Sequence, residues 1–108
     1  MVQATTPTFI LTLQDDVDLT IAENVYFSMQ QGCTHLDKAV DKTDIGDDGK
    51  TVSIYLTQEE TLRFNKGVAD IQLNWTYPSS QNGGRVLRAC SEIVSVPVSR
   101  NLMQEVVE

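Results

Sequence analysis

The sequence predicts an all-β domain of two packed sheets, and three observations predict it. Apolar and polar residues alternate with a period of two through most of the chain, the pattern of half-buried strands. Turn-forming residues recur about every eight to twelve positions. The central stretch Thr51–Tyr77 reads as strand, brief capped helix, strand. So short a link cannot carry a parallel crossover, which needs about a dozen residues or more, but it can pass the chain from one sheet to the other.

Thr8–Leu13 is the first strand, with Phe9, Leu11 and Leu13 inward. Gln14–Asp18 is too acidic to continue it and becomes a loop. Leu19–Ala22 is a short link whose apolar members plug one end of the core. Asn24–Gln30 is the second strand, with Val25, Phe27 and Met29 on the core face. Gly32 turns the chain. Thr34–Val40 is a weaker strand, its charges at Asp37 and Lys38 placing it at a sheet edge. Ile45–Lys50 is a Gly/Asp loop.

In the central stretch, Val52, Ile54 and Leu56 face inward. Thr57 and Glu60 then have the spacing of a capping box, which starts a helical turn near residues 58–64 that Asn65-Lys66-Gly67 ends. Alternation resumes with Ala69, Ile71, Leu73, Trp75 and Tyr77 on one face. The Asn82-Gly83 step marks a hairpin. The last strand runs from Arg85 to Val98. Leu87 and Ala89 point inward in its first half, and Val94, Val96 and Val98 in its second. That change of parity requires one extra residue near Ser91-Glu92, a β-bulge or bend, and Pro97 places the strand's end at an edge. About seven short strands over residues 1–100, in one domain, match an immunoglobulin-like sandwich. Residues 101–108 form a short tail, read either as one or two helical turns carrying Leu102, Met103 and Val106 on one face, or as a frayed segment that orders against a partner.

At 108 residues and 12.0 kDa the chain buries roughly 65% of its unfolded surface, enough for one core but not for a large cavity as well. Its net charge of −7 is uneven. Met1–Gly49 holds nine acidic residues and two lysines, whereas Lys50–Glu108 holds six of each sign. An acidic chain without a basic patch is a poor nucleic-acid binder. The asymmetry can steer a basic partner to one end of the molecule, although solvated acidic loops are the preferred reading. Met1 reads as a native start, and the run after it (VQATTPTF) lacks the features of a signal peptide. Without an export signal, Cys33 and Cys90 are expected as two free thiols.

The candidates for chemistry fail on spacing. Asp44-x-Gly46-x-Asp48-Gly49 resembles the start of a calcium loop, yet Gly46 offers no ligand and Tyr55 stands where a bidentate acid is needed. Asp15, Asp16 and Asp18 read as a solvated loop. Cys33-x-His35 lacks the further ligands of a zinc site and the partners of a nucleophile pair. Glu59-Glu60 and Asp47-Asp48 are adjacent pairs, which rarely converge on one substrate. Trp75 and Tyr77 suit either core packing or a carbohydrate platform, and core packing is preferred because they share a face with Ile71 and Leu73. No catalytic, cofactor-binding or metal-binding residue is assigned, and an enzyme is not expected.

The runs FILTLQDDVDLT, VYFSM and DGKTVSIYLTQEET, the Gly67-led aromatic strand and the NGGR hairpin together resemble the N-terminal domain of phage baseplate upper proteins (the BppU type). The matching positions are Val17, Asp18, Leu19 and Thr20; Val25 and Phe27; Gly49 and Lys50; Tyr55, Leu56, Thr57, Glu60 or Thr61; and Gly67. The resemblance spans roughly Thr8–Val98 and rests on turn and cap residues. It implies an immunoglobulin-like sandwich without catalytic residues, serving as a structural module of a phage or prophage tail or baseplate. The implied partners are other tail proteins, with multiple copies around a ring axis, and the implied location is the virion or the bacterial host cytoplasm. Leu102, Met103 and Val106 are the candidate interface residues. The alternative reading is a carbohydrate-binding or adhesin-type sandwich.

Overall fold

The computed structural model describes residues 1–14, 16–78, 87–104 and 106. Strands take 49% of the chain and helical turns 11%, which sets the class as mostly β. Seven strands are present among the described residues: β1 (Thr8–Thr12), β2 (Asn24–Gln31), β3 (Thr34–Ala39), β4 (Thr51–Tyr55), β5 (Gly67–Tyr77), β6 (Leu87–Cys90) and β7 (Val94–Val98). One short helix, α1 (Gln58–Leu62), lies between β4 and β5.

The strands form two unequal sheets. The larger runs β3-β2-β5-β6, with β7 also on β5; the smaller is β1-β4 alone. All the pairings are antiparallel. Alternation decides the faces. Val25, Phe27, Met29, Ile71, Leu73 and Trp75 of the large sheet meet Val52, Ile54 and Leu56 of the small side in one buried core. Phe9 stacks on Phe27 across the layers, ring centroids 6.3 Å apart. The expected inward residues of β1, β2, β4 and β5 thus lie where the alternation puts them.

The chain changes sheets at α1, as the central stretch predicts. The Glu60 amide donates to Thr57 Oγ1 at 3.2 Å, and the Thr57 amide donates to Glu60 Oε1 at 2.8 Å, completing the capping box. Thr61 and Phe64 bury the inner side of the turn. Leu19–Ile21 is a single 3₁₀ turn capped by Asp18. Leu19 and Ala22 plug the core there, while Ile21 faces solvent. Gly49 anchors this link: its carbonyl accepts from the Leu19 amide at 2.8 Å. Its φ is +72°, and a Cβ would stand 2.4 Å from the Asp18 carboxylate, so only glycine fits.

The last predicted strand is interrupted. Its Arg85-Val86 start and the Asn82-Gly83 step lie outside the described residues. From Leu73 to Ile71, β5 advances two residues; the facing chain advances three, from Ser91 to Val94. That extra residue is the expected bulge, wide enough to split the strand into β6 and β7. Ser91 makes the splice: its amide donates to Leu73 O and its Oγ accepts from the Leu73 amide, both at 2.9 Å. The Ser91 carbonyl, thereby freed, accepts from Gln72 Nε2 at 2.9 Å. Pro97 lies on the outer strand as expected, and its carbonyl accepts from the Met1 ammonium at 2.7 Å. Leu87 and Val94 share the core side with Ala89 and Val96 yet remain exposed.

The tail holds no helix among its described residues. Asn101 Nδ2 donates to Gln3 O and Gln104 Nε2 to Gln3 Oε1, each at 3.0 Å. Buried Gln3 in turn donates to Phe64 O at 2.5 Å. Polar groups tie the segment down, so the helical alternative is not adopted and Leu102, 91% exposed, is left in solvent with Met103 and Val106.

Candidate docking site: an open side of the two-sheet core

The two long sides of the core close differently. On the β3–β4 side, Lys38 spans the gap. Its ammonium donates to Tyr55 O at 2.6 Å and to Glu60 Oε1 at 2.8 Å. Lys38 lies opposite Phe27, so it sits on the core-facing side of β3 rather than decorating the edge, while Asp37 points out as expected. Partial burial works against the charge on Glu60, but the Lys38 ammonium and the Thr57 amide outweigh it and hold the carboxyl below the usual glutamate range.

On the opposite side a two-stranded sheet faces a wider one. At the end near Gly67 the N-terminal segment fills the gap: Val2 bridges Ser99, and the Ser99 amide donates to Met1 O at 2.7 Å. Toward the other end the core opens into a cleft of about 370 Å³. Leu11, Leu13 and Val17 form one wall; Ile71, Leu73, Trp75, Ala89 and Val94 form the other. Exposed Asp16 and Glu92 stand at its mouth, and among the described residues none that lines it is basic.

The cleft runs along a strand edge that is unpaired among the described residues. The Leu13 amide donates to Lys50 O, and the Leu56 amide to Pro7 O. The odd-numbered residues of β1 therefore bond to β4, and antiparallel alternation turns the backbone groups of Thr8, Ile10 and Thr12 the other way. Among the described residues, no backbone group bonds to them. Ile10 is also 68% exposed on the outer face. The β1 edge is thus open to a further strand.

The outer face of the large sheet is polar. Asp37 accepts from Ser28 at 2.5 Å and pairs with His35 Nε2 at 2.9 Å. The Ser28 hydroxyl, with His35 beside it, holds the Asp37 carboxyl below the usual aspartate range. Arg88 reaches Asn74 Oδ1 at 3.2 Å. Tyr26, 41% exposed, shares a shallow groove there with Ser28, Asp37, Thr76 and Arg88.

The other sequence candidates are not brought together. Cys33 and Cys90 are separate, exposed thiols. Asp48 accepts from the Lys50 and Thr51 amides at 2.9 and 3.0 Å, and these bonds, the Lys50 one foremost, keep its carboxyl below the usual range; the loop is a turn. Asp18 accepts from the Thr20 hydroxyl and amide, which lower its carboxyl likewise. Asp15 lies outside the described residues. Among the described residues no group of three or more His, Cys, Asp or Glu side chains gathers, and no helix is long and apolar enough to cross a membrane. Trp75 is only 3% exposed and its Nε1 donates to Tyr77 Oη at 3.1 Å, so it is a core residue rather than a platform. Sequence reasoning missed the cleft altogether. The one signal for it was Ala89 and Val94, apolar positions of the right parity on either side of the bulge.

Comparison with protein-family models, with curated proteins and with solved structures finds no match for this chain.

Proposed function

We propose that this chain is a non-enzymatic docking module, an immunoglobulin-like sandwich that serves as a structural part of a phage or prophage tail or baseplate and works through protein–protein contacts. The observation that carries the docking reading is the apolar cleft beside the unpaired edge of β1. Buried apolar surface and free backbone groups side by side are what strand addition exploits. The phage setting rests on the turn and cap motifs of the sequence. In this chain those residues act as turn and cap residues: Asp18 caps the link before β2, Gly49 supports it, and Thr57 with Glu60 caps α1. Exposed Leu102, Met103 and Val106 supply a second contact, through which copies join in a ring around the tail axis. The module belongs in the virion, or in the bacterial host cytoplasm before assembly.

Crosslinking within particles tests this reading. A photo-reactive residue replaces Thr12, beside the cleft, or Gln72, on the polar face. Particles from the producing strain are expected to contain the chain, crosslinked to another tail component from position 12 and not from 72. Particles without the chain overturn the virion setting. Crosslinks from position 72 alone move the docking surface to the polar face.

A second reading has one observation in its favour. Tyr26 is solvent-facing in a groove with Asp37, Thr76 and Arg88, and an aromatic face among hydrogen-bonding groups suits a sugar ring. Saccharides that shift the Tyr26 and Arg88 resonances would favour this carbohydrate-binding or adhesin-type alternative.

A further inference from the structure

The cleft and the β1 edge together define what fills them. We infer that the occupant is an extended segment of a partner protein, with apolar residues at alternate positions and Lys or Arg at its ends, that adds to β1 as the third strand of the small sheet. The inference rests on the docking reading above and specifies the partner's chemistry. Thr8, Ile10 and Thr12 offer a ladder of backbone groups, so the occupant is extended. Side chains along such a strand alternate between faces. Every second one therefore enters the cleft against Leu73, Trp75 and Val94 and must be apolar. The ends are set by charge. Asp16 and Glu92 flank the mouth, no base lines it among the described residues, and Met1–Gly49 carries a net of −7. An acidic mouth attracts basic flanks and repels acidic ones. That also disfavours this chain's own tail, whose Glu105 and Glu108 follow Leu102 and Met103.

The test uses three synthetic peptides with the intact chain: Lys-Thr-Val-Thr-Val-Thr-Val-Thr-Lys, the same peptide with Glu at both ends, and a version with Pro in place of each Val. Trp75 is the only tryptophan and lines the cleft, so its fluorescence reports filling. Amide exchange reports which edge is paired. The Lys-flanked peptide is expected to shift Trp75 emission and slow exchange at Thr8, Ile10 and Thr12. It should bind about ten-fold tighter than the Glu-flanked one, as two modest charge contacts allow, with the gap closing as salt rises. The Pro version should be silent.

Two kinds of variant keep the outcome readable. Ile10→Pro removes one outward N–H, a place where an edge strand tolerates proline; it should weaken the Lys-flanked peptide about ten-fold or more. Asp16→Lys with Glu92→Lys, both on the surface, should reverse the preference between flanks. Equal binding of the two flanked peptides overturns the basic-partner inference and leaves docking through the cleft in place. Silence from all three, or protection on β3 or β7 instead of β1, overturns strand addition here, while crosslinking from position 12 still judges the docking reading by itself. Amides of Thr8, Ile10 and Thr12 already protected at high protein concentration without peptide would assign the edge to a second copy, and the inference falls.

Discussion

Glu60 sits where three elements meet. Its carboxylate accepts from the Thr57 amide at the start of α1 and from Lys38 on β3, and Lys38 also holds Tyr55 O at the end of β4. One side chain therefore caps the helix and fixes the closed side of the core. The cap half was legible: threonine with glutamate three positions on is a local signal. The Lys38 half was not, because Lys38 reads as a solvated edge charge until the pairing of β2 with β3 turns it inward. The pH dependence follows from the lowered carboxyl of Glu60. A group whose pKa is depressed on folding stabilises the fold above its unfolded value and loses that contribution as pH falls through its folded value. For Glu60 the loss begins near pH 4.5 and continues below it. Glu60→Gln keeps a capping side chain but not the charge facing Lys38. The variant should be less stable at pH 7 by about 1 kcal/mol. It should also show a shallower acid limb, the residual slope coming from Asp18, Asp37 and Asp48. Urea midpoints from pH 7 to pH 3 check this; parallel curves for the two proteins would refute it.

Among the elements, the splice between β6 and β7 shows how far a one-residue argument reaches. Parity in the sequence changes once between Ala89 and Val94, and only an insertion keeps both halves facing the core. The structure places that insertion between Ser91 and Val94. Hydroxyl chemistry at Ser91 was harder to foresee, since it depends on Leu73, eighteen positions away. Deleting exposed Ile93 removes the extra residue, so Ser91, Glu92 and Val94 come to face Leu73, Gln72 and Ile71 one to one. β7 keeps its register, with Val96 and Val98 on the core side, and the deletion should stay within about 1 kcal/mol of the parent. A serine inserted after Ile93 adds a second extra residue instead. Slipping β7 by one to take it up turns Val98 and Val96 out of the core and Ser95 and Pro97 in, which costs about 2–3 kcal/mol, a fall of roughly 10 °C in Tm. Thermal unfolding of the two variants separates them. Equal losses would mean that the bulge itself, and not the register it sets, holds β7 in place.

Taken as a molecule, the chain builds five strands against two, and the sequence did not announce that imbalance. Alternation tells which residues of β1 and β5 face a core; it does not tell which edges find a neighbour. Pairing of β1 with β4 joins residues about forty positions apart, and the open edge beside it is defined only by what fails to arrive. If the cleft is an unfilled strand position, supplying the strand should complete the fold. The Lys-flanked peptide can be fused through a flexible linker on the C-terminal side, since the Met1 ammonium is engaged by Pro97. Asn101 lies near Gln3, at the end remote from Trp75, and the molecule is 52 Å long. A Gly/Ser linker of about 40 residues has a root-mean-square span of roughly 35 Å and reaches. Tethering raises the local strand concentration to about the millimolar range. If the free peptide binds near 10 μM, that is about a hundred-fold excess over its Kd, stabilising the fold by about 2.7 kcal/mol. The fused protein should then melt roughly 10 °C higher than one carrying the same linker and the Pro version. Its small-angle scattering should show the same association state as the Pro fusion. Equal melting of the two fusions would mean that the gap between the sheets is a settled feature of the native surface rather than a vacant strand position.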